Sequence, residues 1–342
     1  MQRREEEKPP RTAKAKRGRG GRGLETASSR ERERERERER IMAILRKRKA
    51  NDREKRRRDD MEEFLGLASK CSNIVVFSGS GMSVASGLST FTSRGGLYER
   101  ATKKFKVADG MKLFSNGFYA KYPKKCLSFL SEIFLEARQT KPNQSHEALA
   151  KLEDEGRLLR HYTMNIDGLM RFTSASHWTR QPDCPGKTVE LHGNCRETVC
   201  TNCGKVSAMS VGNAKSWRSG KDVFCRACSK LLRPKIMLYD DADSELITPD
   251  VVMEVMDEDV SKADLILWIG ISFQQSASLE YFRNILRVIK EFGKEGTIVQ
   301  GLINPDEDSS FNALTGSNNI DDFKVISLVS QCEPVLDQIV AG

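Results

Sequence analysis

Residues 73–81 read Asn-Ile-Val-Val-Phe-Ser-Gly-Ser-Gly, a short apolar run that ends in a glycine-rich turn. A run of this composition, bounded by such a turn, is typical of a buried strand. Gly79 and Gly81 would let the backbone turn tightly and approach a pyrophosphate group. Val84 stands where a third glycine is usual, and no clear acidic residue ends a second strand about twenty residues further on. An ordinary strand–helix turn is therefore an equal alternative for this stretch.

Similar short apolar runs recur along the chain, and helical patterns such as residues 278–292 separate several of them. Strands that alternate with helices predict an α/β fold with a parallel sheet covered on both faces. The runs predicted to be strands are residues 158–163, 264–269, 297–303 and 323–328.

A polar segment, residues 195–232, interrupts this alternation and contains two C-x2-C pairs separated by 21 residues. Each pair can present two thiolates to one tetrahedral zinc ion, and four protein ligands make a zinc site structural. A small polar lobe without an apolar core needs such a metal to fold. Four unrelated thiols and a nucleic-acid-binding zinc ribbon are the alternatives, but the residues between the cysteines lack the basic and aromatic character of the latter. The predicted ligands are Cys200, Cys203, Cys225 and Cys228.

Charge is spread unevenly over the 342 residues, whose net charge is +9. Residues 1–60 hold 24 Lys+Arg and 13 Asp+Glu, whereas the remainder holds 33 and 35. The low-complexity composition and the Arg-Glu alternation of this segment predict a disordered basic tail, which can form a fluctuating solvated helix at residues 30–40. The apolar face formed by Met61, Phe64 and Leu65 places the start of the folded domain, residues 61–342, at Met61.

The location of the protein in the cell is predicted from the same tail. Its charge would attract nucleic acid or a transport receptor, and residues 46–49 and 55–58 resemble a nuclear-import signal. We therefore expect a nuclear protein, with the cytoplasm as the alternative. No run of 18 apolar residues and no secretory signal is present, so we expect no membrane association. Nine cysteines without such a signal favour a reducing compartment.

A single histidine, His192, directly precedes the cysteine-rich segment. Histidine titrates near neutral pH and can accept a proton from a hydroxyl group. A lone histidine is more often structural than catalytic, so its assignment depends on the pattern around it.

Several motifs, in order along the chain, resemble those of the sirtuin family from about residue 63 to the C-terminus. Gly79-Ser80-Gly81-Met82-Ser83 is similar to the family's Gly-Ala-Gly-Ile-Ser, and Thr163-Met164-Asn165-Ile166-Asp167 to its Thr-Gln-Asn-Ile-Asp. His192-Gly193 resembles the catalytic His-Gly pair, and the four cysteines resemble the zinc tetrad. Gly270-Ile271-Ser272 and Ile303-Asn304 are similar to the family's Gly-Thr-Ser and Ile-Asn.

The resemblance implies an NAD-dependent protein lysine deacylase with a Rossmann-like large lobe, a small zinc lobe and NAD bound between them. In such enzymes the acyl oxygen attacks the ribose carbon as nicotinamide departs, and a histidine removes a proton from a ribose hydroxyl. The implied partners are acylated proteins, with histones among the candidates, and one structural Zn²⁺. The implied catalytic residues are His192 and Asn165. The residues implied to bind the cofactor are Gly79, Ser80, Gly81, Ser83, Phe91, Asn165, Asp167, Gly270, Ser272, Asn304 and Cys332.

Three stretches depart from the family's pattern. Ser89-Thr90-Phe91-Thr92 stands where Pro-Asp-Phe-Arg is expected, and Met164 replaces a glutamine. Residues 235–241, Lys-Ile-Met-Leu-Tyr-Asp-Asp, stand where a Val-x-Phe-Gly-Glu pattern is expected. Each lost hydrogen bond to a charged group costs about 1.5–3 kcal/mol, roughly ten- to a hundredfold in rate. The alternatives are therefore a catalytically weakened NAD-binding interaction module and a protein ADP-ribosyltransferase.

Deleting residues 1–60 should move a fluorescent fusion out of the nucleus, because this segment carries the excess positive charge. Turnover of short acyl-lysine peptides should stay almost unchanged, because the tail holds none of the motif residues. Microscopy of the fusion and a peptide assay measure the two effects. A truncated protein that still concentrates in the nucleus would contradict the import hypothesis.

Overall fold

The structure is a computed structural model that describes residues 27–181, 183–241, 244–317 and 320–342. The chain divides into two compact units, Met1–Lys55 and Arg56–Gly342. Helix α1 (Ala27–Ala68) begins well before the predicted start of folded structure at Met61. Arginine and glutamate are both good helix formers, and their alternation places opposite charges at i, i+3. The predicted disorder of residues 1–26 lies outside the described residues.

The other elements belong to the second unit. Its strands are β1 (Ile74–Ser78), β2 (Leu158–Thr163), β3 (Thr188–Glu190), β4 (Gly193–Cys200), β5 (Val206–Ala208), β6 (Leu232–Ile236), β7 (Leu265–Ile269), β8 (Val299–Ile303) and β9 (Lys324–Leu328). Its further helices are α2 (Leu97–Phe105), α3 (Asn116–Lys121), α4 (Pro123–Ala137), α5 (Gln144–Asp154), α6 (Val211–Arg218), α7 (Ser244–Ile247), α8 (Val251–Lys262), α9 (Ser276–Glu291), α10 (Glu307–Thr315) and α11 (Cys332–Ala341).

The large sheet has the strand order β3-β2-β1-β7-β8-β9, and all its pairings are parallel. Every residue of β1, β7 and β8 is buried, as expected for the central strands of a sheet covered on both faces. The chain order reverses between β1 and β7, and ligands bind at such a switch point, outside the carboxyl ends of the strands. The predicted α/β fold with a Rossmann-like parallel sheet is confirmed.

Two apolar cores cover the two faces of this sheet. On one face, Val76 and Leu267 pack with buried residues of α1, α5 and α11. On the other face, the rings of Tyr162, Phe77 and Trp268 stack in a row, with neighbouring centroids 5.2 and 4.3 Å apart, against α8 and α9. Successive side chains of a strand point to opposite faces, so each central strand contributes to both cores.

Helix α1 joins the first core through Phe64, whose side chain is fully buried. A Cβ atom on Gly301 of β8 would lie 2.6 Å from Cε2 of Phe64, closer than real contacts allow. Glycine at position 301 therefore gives the aromatic ring room to lie directly on the sheet.

The cysteine-rich segment forms a separate lobe around an antiparallel sheet of order β5-β4-β6. The lobe was predicted at residues 195–232, and its strands extend slightly further, from Gly193 to Ile236. Trp217 of α6 and Phe129 of α4 are buried in the core that it shares with α2 and α4. In the described part of the chain, no helix combines the length and the apolar character needed to span a membrane.

Phe64→Ala should lower the free energy of unfolding by about 3–5 kcal/mol, because it leaves a cavity between α1 and β8. The neighbouring exposed residue offers a matched control, and Glu63→Ala should change stability by less than about 0.5 kcal/mol. Denaturant unfolding of the purified variants measures both values. Equal stability of the two variants would show that α1 does not pack on the sheet in solution.

Candidate functional site

A cavity of about 370 Å³ opens at the carboxyl ends of β1, β2, β3 and β7, on the switch point of the large sheet. The loops that follow these four strands form one wall, and residues of the small lobe and of α2 and α9 form the others. Seven residues with a predicted catalytic or cofactor role line it, namely Gly79, Ser80, Phe91, Asn165, His192, Gly270 and Ser272.

The turns after β1 and β7 cross at van der Waals distance. Gly81 N–H donates to the carbonyl oxygen of Gly270, with a nitrogen–oxygen distance of 2.9 Å. A Cβ on Gly81 would lie 2.7 Å from the Cα of Gly270. Gly270 has φ +61°, and a Cβ there would lie 2.4 Å from the backbone nitrogen of Met82. Only glycine fits at both positions, so the main chain itself forms this wall of the cavity.

Asn165, Ser83 and Asp167 form a hydrogen-bonded cluster beside this wall. Ser83 Oγ donates to Asp167 Oδ2 at 2.7 Å, and Asn165 Nδ2 donates to Ser83 Oγ at 3.3 Å. Asn165 is buried, and its Oδ1 has no hydrogen-bond partner among the described residues. A buried amide oxygen without a partner is costly, so a ligand that donates a hydrogen bond to it would be favoured.

Two buried polar residues of the strands, His161 and Ser78, hold the backbone of Asn165 in place through Thr163. The sequence analysis did not identify their role. His161 Nε2 lies 2.7 Å from Ser78 Oγ, which donates to Thr163 Oγ1 at 2.9 Å. Thr163 Oγ1 in turn accepts from the backbone N–H of Asn165 at 3.1 Å. Burial lowers the pKa of His161 to about 3, so the ring is neutral. Polar residues inside otherwise apolar strands were the signal that could have revealed this support.

His192 follows β3 and its side chain is half-buried in the cavity. Burial lowers the pKa of His192 to about 4, although a hydrogen bond from the ring to the main chain of Met164 opposes this effect. The imidazole is therefore neutral at pH 7 and has one nitrogen free to accept a proton. Its ring centroid lies 6.4 Å from that of Tyr281, on α9.

An aromatic cluster closes the cavity on the side of α2. Phe91 contacts Tyr98 and Phe114, each with ring centroids 5.5 Å away. Thr90, where the resemblance expects an aspartate, bonds Ser93 locally, with its Oγ1 2.6 Å from Ser93 Oγ. Met164, where it expects a glutamine, lines the cavity with an apolar side chain.

The segment after β6 forms the opposite wall. Met237 N–H donates to the carbonyl oxygen of His192 at 2.9 Å. Arg233 Nη2 donates to Asp241 Oδ2 at 2.6 Å, and both side chains are almost fully buried. Asp240 has φ +55°, a left-handed conformation that glycine adopts more readily than aspartate. The pair of Arg233 and Asp241 fixes the segment on both sides of Tyr239.

Asn304 and Cys332, which were also predicted to contact the cofactor, do not line this cavity. Asn304 Nδ2 donates to the carbonyl oxygen of Ile271 at 3.1 Å, so it orders the loop after β7. Cys332 is buried at the start of α11, and burial raises the pKa of its thiol to about 12. Their roles in cofactor binding stay predictions.

The four predicted zinc ligands meet in the small lobe. Their sulfur atoms all lie within 4.8 Å of one another. The Sγ atoms of Cys200 and Cys228 are 3.4 Å apart, and those of Cys203 and Cys225 are 3.8 Å apart. Tetrahedral zinc–sulfur bonds of about 2.3 Å place sulfurs about 3.8 Å apart, so the cluster fits a zinc ion.

The two C-x2-C turns have the same backbone design. In the first, the N–H of Gly204 donates to the carbonyl oxygen of Cys200 at 2.9 Å. In the second, the N–H of Ser229 donates to that of Cys225 at the same distance. Gly204 and Ser229 both have left-handed backbone conformations, with φ near +68° and +58°. Hydrogen bonds from backbone N–H groups lower the pKa of the Cys225 thiol, which favours the thiolate that zinc requires.

A sequence model of the Sir2 family matches residues 79–276. The NAD-dependent protein deacetylase of Thermotoga maritima is 29% identical over 212 residues, which cover 62% of this chain and 76% of that protein. The NAD-dependent protein deacetylase sir-2.1 of Caenorhabditis briggsae is 29% identical over 218 residues, which cover 63% of this chain. The chain spans only about a third of the length of that relative, 33%.

Solved structures show the same fold. A complex of a Sir2 homologue with NAD matches with a TM-score of 0.59 and 23% identity, covering 82% of this chain and 92% of that one. Sir2 with a deacetylated p53 peptide and 3'-O-acetyl-ADP-ribose matches with a TM-score of 0.61 and 24% identity, covering 82% and 97%.

Cys225→Ser should abolish tight zinc binding and unfold the small lobe, because three thiolates and a hydroxyl hold zinc poorly. Metal analysis should find one zinc ion per chain in the unaltered protein, and limited proteolysis should cut the variant within residues 195–232. Cys184→Ser, outside the cluster, should keep both the zinc and the proteolysis pattern. Pure protein without zinc would contradict the assignment.

Proposed function

The chain belongs to the Sir2 family, and on that premise we propose that it is an NAD-dependent protein deacylase. It would remove acyl groups from lysine side chains and release nicotinamide and O-acyl-ADP-ribose. The observation that carries the proposal is the meeting of His192, Asn165 and the two glycine turns around one cavity at the switch point of the sheet. The proposal extends to this chain the activity for which its relatives of 29% identity are named.

The residues of the cavity suit the two halves of a dinucleotide. The contact between the turns at Gly81 and Gly270 leaves main chain of Gly79 and Gly270 on the cavity, where it can approach a pyrophosphate. The unpartnered oxygen of Asn165 accepts a hydrogen bond, as from a ribose hydroxyl or a carboxamide. Ser83 and Asp167 hold the Asn165 side chain in place. Ser272, on the loop after β7, would contact the adenosine half.

The chemistry follows from what each residue can do at neutral pH. When bound, NAD would supply an electrophilic ribose carbon for the acyl oxygen, with nicotinamide as the leaving group. His192 is neutral, so one ring nitrogen accepts a proton from a substrate hydroxyl while the other stays bonded to the main chain of Met164. Asn165 fixes the substrate relative to the imidazole, and the aromatic cluster around Phe91 keeps water from the reacting groups.

The partners of the protein follow from the same proposal. Its substrates would be acylated proteins, and histones are candidates if the predicted nuclear location holds. The basic tail would contact nucleic acid or an import receptor by its charge. The zinc ion would be structural, because all four of its ligands come from the protein.

A second candidate, a module that binds NAD without turnover, is favoured by one observation. Met164 offers the cavity no hydrogen-bonding group, and the Thr90 hydroxyl is bonded to Ser93 instead of facing a ligand. Calorimetry with NAD and an assay of nicotinamide release with an acyl-lysine peptide panel distinguish the two. Binding of NAD without release of nicotinamide in the presence of any peptide favours the module, whereas release of nicotinamide favours the enzyme.

His192→Ala should reduce kcat/KM by about 10²–10⁴ while NAD binding is retained, because the imidazole acts as a base on the bound substrate. The unaltered enzyme should lose activity only as the pH falls through about 4, where His192 becomes protonated. Nicotinamide release between about pH 3 and 8 measures this limb, and circular dichroism identifies acid unfolding.

His177→Ala serves as the matched control, because His177 lies outside the cavity. Its activity should stay within about threefold of the unaltered enzyme, which is small beside the loss of a general base. Turnover that is the same in His192→Ala as in the control would remove His192 from the role of base.

A further inference from the structure

Three polar side chains meet inside the cavity that contains His192. The hydroxyl oxygens of Tyr98 and Tyr239 are 3.0 Å apart, and the Tyr239 hydroxyl donates to Gln275 Oε1 at 3.2 Å. They come from α2, from the segment after β6 and from the loop before α9. All three line the same cavity as His192.

This cluster lies within reach of an acyl group that is bound at His192. Met237 N–H is bonded to the carbonyl oxygen of His192, and Tyr239 follows two residues later. The phenol of Tyr239 and the imidazole of His192 line one cavity of about 370 Å³, so a polar group on a short acyl chain bound at the imidazole would face the cluster.

The hydrogen bonds inside the cluster leave one acceptor and one donor unused. Because the proton of Tyr239 goes to Gln275, the proton of Tyr98 goes to Tyr239. Burial raises the pKa of Tyr98, so its hydroxyl keeps that proton. The lone pairs of Tyr98 and the amide protons of Gln275 have no hydrogen-bond partner among the described residues. A hydroxyl group on a ligand donates to the first and accepts from the second.

The charges around the cluster exclude an acidic acyl group. Among the described residues that line the cavity, no lysine or arginine is present, whereas Asp240 and Asp241 are. A carboxylate would lack a cation there, because the guanidinium of Arg233 is already paired with Asp241. The ligand group that fits the cluster is therefore a neutral one that both donates and accepts a hydrogen bond.

Tyr239 supplies the hydroxyl that links the cluster, and it belongs to the stretch 235–241 that departs from the family's pattern. We propose that Tyr98, Tyr239 and Gln275 form a recognition site for a hydroxyl on the acyl group, so that the protein prefers hydroxyacyl-lysine to the plain acyl-lysine of equal length. The inference rests on the proposed deacylase function and names its substrate class.

The test compares two peptides that are identical except for a butyryl or a 3-hydroxybutyryl group on one lysine. The full-length protein should show a kcat/KM about three- to tenfold higher for the hydroxylated peptide, the value of one net hydrogen bond. Tyr239→Phe removes the hydroxyl that links Tyr98 to Gln275 and should bring the ratio close to one. Tyr122→Phe, an exposed tyrosine outside the cavity, should keep the ratio of the unaltered protein.

The ratio of the two peptides separates recognition from a general loss of activity, which affects both equally. A ratio of one or less in the unaltered protein overturns the proposal, as does an unchanged ratio in Tyr239→Phe. If no peptide, including one with acetyl-lysine, leads to release of nicotinamide from NAD, the result contradicts the proposed function instead. In that case, or if Tyr239→Phe is inactive, the ratio of the two peptide Kd values from calorimetry in the presence of NAD decides in the same way.

Discussion

The main-chain contact between the turns after β1 and β7 is the constraint on which the site depends. Gly81 and Gly270 approach so closely that no side chain fits between them. This contact closes the crevice at the switch point of the sheet and leaves its wall as bare backbone. The loops after β2 and β3 then place Asn165 and His192 on the same cavity. A parallel sheet brings the carboxyl ends of its strands to one edge, so residues distant in sequence meet there without further design.

The sequence predicted the large sheet well, because its central strands are buried on both faces and are therefore continuously apolar. The spacing of the cysteines predicted the metal cluster for a similar reason, since the ligands of each pair are local. Strand β3, with three residues, was too short to recognise, and α2–α4 carry aromatic residues without a clear helical period. Helix α1 begins at Ala27, whereas the apolar face from which the start of the folded domain was predicted begins only at Met61.

The contacts that complete the site are long-range, and no local pattern announces them. Tyr98 and Tyr239 are separated by 141 positions in sequence yet bond each other. The support of Asn165 by His161 and Ser78 also joins different strands. Departures from a family pattern pointed to the right region without revealing its structure. At residues 235–241, they mark a wall held by the buried pair of Arg233 and Asp241, with an added hydroxyl between them.

His192 and Gly193 are consecutive residues that belong to different parts of the fold. His192 follows β3, the edge strand of the parallel sheet, and Gly193 is the first residue of β4 in the antiparallel sheet of the small lobe. The imidazole therefore lies at the junction of the two sheets. The carbonyl oxygen of His192 accepts a hydrogen bond from Met237 N–H, directly after β6, the strand that leads out of the small lobe. The small lobe is thus joined to His192 at both of its ends, through the peptide bond to Gly193 and the hydrogen bond from Met237. The segment between Gly193 and Met237 can consequently vary in length and composition, as surface insertions do, without a change in the position of the imidazole.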